Sequence, residues 1–168
     1  MRINRIAVVA AAAATMIGSG AGLALASTST GQRPAASGTE HFSLMTTQPS
    51  ASKYVVIASG LFTAGGVDIS GSTVDLVRLP AGTFKINHGS AVHIISEKLN
   101  PRTCLMNFAA TAKFKLEDGT RGYKGISGSG KALISGTAIA RRSHGQCNPN
   151  ASPLVSEQTI SATAHVHL

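Results

Sequence analysis

From Cys104 to Leu116 the chain alternates almost without interruption. Cys104, Met106, Phe108, Ala110, Ala112, Phe114 and Leu116 fall on one side of an extended backbone; Asn107, Thr111, Lys113, Lys115 and Glu117 fall mainly on the other. Successive side chains point to opposite faces of a strand, so a period of two predicts a long strand with one buried face, which no helical repeat explains as well. The last residues repeat the device, with Ile160, Ala162, Ala164, Val166 and Leu168 against Thr159, Ser161, Thr163, His165 and His167.

The rest of the chain fits around these two segments. Tyr54 to Phe62 is apolar on both faces and predicts a central strand. Ala64-Gly65-Gly66 and Ser70-Gly71-Ser72 read as turns, and Thr73 to Leu79 as a strand. Pro80-Ala81-Gly82 leads into Thr83 to His88, where Phe84, Ile86 and His88 share one face. Ala91 to Glu97 is a short strand broken by Asn100-Pro101. Spacing of turns and strands predicts an all-β domain of about eight short strands, a sandwich or barrel.

After the long strand, Asp118-Gly119 predicts a tight hairpin, because both turn positions can need positive φ. Gly122, Gly125, Gly128 and Gly130 then punctuate the next strand, as at bulges or barrel corners. Gly125 to Ala132 also imitates the phosphate-binding loop G-x-x-x-x-G-K-[ST]. Ala132 lacks the hydroxyl that holds Mg²⁺, and the following Leu-Ile-Ser-Gly-Thr is no helix start, so Lys131 is not expected to bind nucleotide. Ser127 and Ser129 fail the G-x-S-x-G nucleophile pattern.

The N-terminus reads as an export signal. Arg2 and Arg5 precede an apolar stretch from Ile6 to Ile17, and Ala24-Leu25-Ala26 offers a cleavage site after Ala26. This predicts a secreted chain with a leader at 1–26, a flexible segment at 27–52 and a β-barrel domain at 53–168. Within the flexible segment, only a short strand near Phe42–Met45 is expected. The formal charge is +8, two units of which leave with the leader, and the remaining basic residues are spread along the chain. With two Tyr and no Trp, stacking platforms for nucleic acid are missing, whereas an anionic cell-wall polymer suits the charge. Cys104 and Cys147 in an oxidising compartment point to one disulfide, with two buried free thiols as the alternative.

Gly119-Thr120 … Tyr123-x-Gly125-Ile126-x-Gly128-x-Gly130 after a long alternating strand resembles the allene oxide cyclase and dirigent barrels. Phe62-Thr63-Ala64-Gly65-Gly66, Pro80-Ala81-Gly82-Thr83-Phe84 and Asn100-Pro101-Arg102-Thr103-Cys104 extend the likeness to a group of small exported bacterial proteins. The resemblance covers Tyr54 to Leu168. It implies an eight-stranded antiparallel closed barrel, often trimeric in the plant families, and specifies backbone shape rather than activity.

Candidate chemistry is sparse. Phe84, Ile86, Met106, Phe108 and Phe114 are the expected lining of a lumen that takes a small apolar ligand, as closed eight-stranded barrels do. Asp68 and Asp75 would form an acid/base pair only if both entered that lumen; beside Gly65-Gly66, Asp68 reads instead as closing a loop. Asp75 points away from the side of Arg78. His165 and His167 share a face, yet sequence brings no third ligand such as His88, His93 or His144 near them, so no metal, cofactor or catalytic residue is assigned. Three functions follow as expectations: a luminal carrier, a dirigent- or cyclase-like scaffold for a reactive molecule, or a basic envelope-associated protein.

Overall fold

The computed structural model describes residues 36–48 and 52–168. The export signal and its cleavage point lie outside the described residues. Among the described residues eleven strands follow one another: β1 (Ser37–Thr46), β2 (Lys53–Gly60), β3 (Ala64–Ile69), β4 (Val74–Leu79), β5 (Gly82–Asn87), β6 (Val92–Leu99), β7 (Leu105–Glu117), β8 (Ser127–Ile139), β9 (Arg141–Ser143), β10 (Gln146–Asn148) and β11 (Val155–His167). Nine of them form one antiparallel sheet in the order β5-β4-β3-β2-β1-β11-β8-β7-β6. Lys85–Asn87 of β5 also pairs with Lys115–Glu117 of β7, which closes β1–β5, β7, β8 and β11 into an eight-stranded barrel.

Strand length decides what lies outside the closed ring. β5 meets only the last residues of β7, and β1 meets β11 only from Gln158 onward. The first half of β7, the second half of β8 and the start of β11 therefore project past the rim, with β6 added along β7. This four-stranded shelf is the main departure from a plain barrel. Its far end is tied by the Cys104–Cys147 disulfide, which joins the β6–β7 turn to the β9–β10 hairpin.

Alternation holds throughout the barrel. Inward residues Phe42, Leu44, Tyr54, Val56, Val77, Phe84, Ile86, Phe114, Leu116, Ala164 and Val166 form one core cluster. β8 adds glycine where its neighbours are large. A Cβ at Gly130 would collide with the Thr163 carbonyl and sit 2.6 Å from Phe114 Cζ, and one at Gly136 would strike the Phe108 ring. Each phenylalanine thus lies over the bare backbone of its cross-strand glycine.

Several expectations change. The barrel starts at β1, ten residues long, and not at Lys53; Phe42 and Leu44 bury one face of it. Ala64-Gly65-Gly66 is not a turn but the start of β3, paired with β2. A Cβ at Gly66 would meet the Arg78 carbonyl and Leu79, so Gly66 marks a close strand approach. Tyr54 to Phe62 is not buried on both faces: Val55 is 57% and Ile57 53% exposed, because the outside of a barrel wall faces solvent. The turn-rich stretch around Cys147 contains the β9–β10 hairpin.

Asp118-Gly119 does not make a two-residue hairpin. Asp118 does take a positive φ of 55°, but the chain then forms a 3-10 turn at Arg121–Tyr123 and β8 begins only at Ser127. The reason is Tyr123, which must reach the core. The loop docks on the β4–β5 turn through Thr120 N–H to Thr83 O (2.8 Å) and Gly122 N–H to Ala81 O (3.0 Å). Tyr123 then packs against Phe62 and Phe84 with ring centroids 5.0 and 5.4 Å away, and Phe42 completes an aromatic plug. One end of the barrel is thereby closed.

Candidate functional site

The opposite end is open and holds a cavity of about 180 Å³. Its wall is apolar: Leu44 from β1, Ile86 from β5, Val92 from β6, Ala112 and Phe114 from β7, Ala132 and Ile134 from β8, Ile160 and Ala162 from β11. Apart from Val92, on the largely exposed β6, all are inward positions of alternating strands, so strand parity builds most of this surface. The polar groups that enter it are Tyr54, Ser70, Asp75, His88 and Gln158.

These polar groups form two clusters. Tyr54 donates its hydroxyl to Gln158 Oε1 at 2.8 Å, spanning β1 from β2 to β11. Asp75 Oδ1 accepts the Gly71 N–H at 2.9 Å and faces His88 Nε2 at 3.2 Å. Asp68 belongs to the same inner wall. It is the cross-strand partner of Tyr54 and of Val77, two residues from Asp75, and it is 1% exposed. Its Oδ1 is buried without a hydrogen-bond partner. Burial, and then the negative charge of Asp75, push its carboxyl up to about 7, against the smaller opposing pull of His88. Burial and the same two aspartates also raise the Tyr54 phenol.

A second buried carboxylate, Glu40, sits at the plugged end. Its Oε2 accepts the Phe62 N–H at 3.0 Å, while Oε1 has no partner. Burial raises its pKa, and the backbone N–H of Phe62, foremost among several smaller influences, holds it back. Glu40 thereby fixes the β2–β3 loop that delivers Phe62 to the plug. By register it sits at the opposite end of β2 from Asp68, beside Gly60 where Asp68 is beside Tyr54.

The five expected lining residues do not converge. Ile86 and Phe114 line the cavity. Phe84 is fully buried below it, in the aromatic plug. Met106 and Phe108 stand on the shelf, half-buried, beyond the closed ring. Asp68 is corrected from loop closure to the interior, and Asp75 does face away from Arg78, which is exposed. Tyr54, His88 and Gln158 were not singled out for this site. Parity with Ile86 and Phe84 places His88 inward; Tyr54 and Gln158 needed the register across β1.

The histidines of the last strand are on the outer face, with His165 and His167 in edge contact at 4.9 Å. Among the described residues no group of three or more metal-ligating side chains converges. The cystine is present, with Cys104 buried and a sequence separation of 43. In comparisons with known protein families, curated proteins and solved structures, this chain matches none, which leaves the barrel and its open-end cavity as the basis for a functional reading.

Proposed function

We propose that this is an exported barrel that binds a small, mostly apolar molecule in its open end without changing it covalently. The observation that carries this reading is the cavity itself: an apolar wall with a few converging polar groups, at the mouth of a barrel closed at its other end. An apolar cavity of about 150 Å³ is enough to hold benzene. The somewhat larger volume here therefore suits a small single or fused ring or a short branched chain, with a hydroxyl or similar donor reaching Asp75 or Gln158. Export is supported by the leader pattern and by the disulfide, a bond that persists in oxidising compartments. Native mass spectrometry of protein from culture medium tests the reading. A stoichiometric small adduct, or saturable binding of indole by the stripped protein, is expected; neither would be seen if the cavity were only a packing defect.

One observation favours a second reading, that of a dirigent- or cyclase-like scaffold acting on a reactive molecule. Asp75 lines the cavity, and the buried Asp68 on the adjacent strand, its carboxyl pushed up to about 7, holds or releases a proton at neutral pH. A carrier leaves the carbon-bound hydrogens of its guest alone. Deuterium entering the co-purified molecule from D₂O, and ceasing to enter with Asp68→Asn, would replace the carrier reading with this one.

A further inference from the structure

A different observation concerns the outside of the barrel. Along the sequence the lysines look dispersed, but the β7–β8 register sets Lys113 directly opposite Lys131, with Lys115 two residues further along β7. All three are exposed on the outer face. Adjacent strands lie about 4.8 Å apart and alternate residues about 7 Å apart, so three ammonium groups share one small area. Like charges directly opposite on a sheet are destabilising. Among the described residues the ion pairs are Lys85–Asp118 and His88–Asp75, so none of these three lysines is in a salt bridge. Glu117, two residues beyond Lys115 on β7, accepts a hydrogen bond from Asn87 Nδ2 at 3.1 Å.

The neighbouring strand positions continue the face with hydrogen-bonding groups. Thr163 is opposite Lys131, and Ser129 is opposite both Lys115 and His165. His41 follows Thr163 on β1 and meets its hydroxyl at 3.1 Å. No Phe or Tyr stands among them to stack a base, as single-stranded nucleic acid would require. Leu133 is the large apolar neighbour, too little for a face that inserts into lipid. Repeated negative charge is needed to satisfy three ammonium groups, and sugar hydroxyls suit the Ser, Thr and His donors.

We infer that the outer face of β7–β8–β11 is a docking surface for a linear anionic polysaccharide, with Lys113, Lys115 and Lys131 as its charged anchor. Lys131, idle as a mimic of a nucleotide-loop lysine, has its use here. The cavity inside the barrel is not involved, so the two sites stand or fall separately.

Binding of the whole protein to polygalacturonate, followed against salt, tests this. Three neutralised charges predict a log–log slope of about −2 to −3 for the wild type. The Lys113→Ala/Lys115→Ala/Lys131→Ala variant should bind roughly tenfold or more weakly and lose about one unit of slope per lysine. A charge-matched Lys53→Ala/Arg78→Ala/Lys124→Ala variant should keep wild-type affinity. Equal loss in both variants would mean diffuse charge and no surface. A flat salt dependence of the wild type would overturn the proposal even if the variant failed to fold. So would equal affinity for duplex DNA or anionic vesicles, and so would undiminished binding to uncharged dextran.

Discussion

Among the inward polar groups, Asp68 and Glu40 are the two that are fully buried, each with one carboxylate oxygen lacking a hydrogen-bond partner. Asp68 titrates near 7 when folded against an ordinary value of 3.8, so between those values the folded chain keeps a proton that the unfolded chain has lost. Its contribution to stability is full below about pH 4, falls as pH rises toward 7, and is then flat. Glu40, also raised, acts in the same direction. Asp68→Asn should therefore raise stability above pH 7 by on the order of 1–3 kcal/mol and change little near pH 4. Parallel melting profiles of variant and wild type across this range would remove Asp68 from the account. Phenylalanine positions make a second contrast. Phe84→Ala, in the plug, should cost about 3–5 kcal/mol, whereas Phe108→Ala on the half-open shelf should cost less than half of that. Parity in the sequence made both inward; it could not say that only one lies within the closed ring.

Among the elements, the long strands were legible because one apolar face leaves a period-two record. β7 and β11 followed from that record alone. β3 did not, since Ala64-Gly65-Gly66 carries a single methyl and so shows no alternation, and Gly66 serves the approach of the Arg78 carbonyl. β1 lay in a Ser- and Thr-rich segment whose outward residues resemble a linker, with only Phe42, Leu44 and Glu40 turned inward. At β8 the glycines that suggested a bend have a specific partner. Gly130→Ala should cost about 1–3 kcal/mol, since the new methyl must displace Phe114 or the Thr163 carbonyl. An unchanged melting temperature would show that β8 yields without strain. The shelf depends on a covalent tie, and closing a loop of this length contributes about 4 kcal/mol in the chain-entropy account. Cys147→Ser should lower stability by up to that amount. Hydrogen exchange should rise first in β6 and the start of β7 if the tie holds the shelf, and uniformly if it only restrains the unfolded chain.

At the scale of the molecule the barrel is a cup. An aromatic plug held by Glu40 and the 118–126 loop shuts one end, while short β4 and β5 leave the other open beneath the shelf. The alternating strands announced a buried face, and the resemblance implied a closed eight-stranded ring. Neither could locate the opening, because it depends on where each strand stops pairing. The two ends can be told apart by two substitutions. Ala112→Phe would place a ring in the cavity of about 180 Å³, whose room is close to that of one such ring. It should abolish binding of indole while preserving the fold, since the cavity wall is already apolar. Phe62→Ala removes a plug residue at the far end and should lower stability by roughly 2–4 kcal/mol, less than a fully enclosed ring because Phe62 is half-buried. Its effect on indole affinity should be small, as the plug residues Phe42 and Phe84 still separate the ends. Should Ala112→Phe bind indole as well as the wild type, the open-end cavity would not be the binding site. If Phe62→Ala instead bound it more tightly, the guest would have to enter through the plugged end.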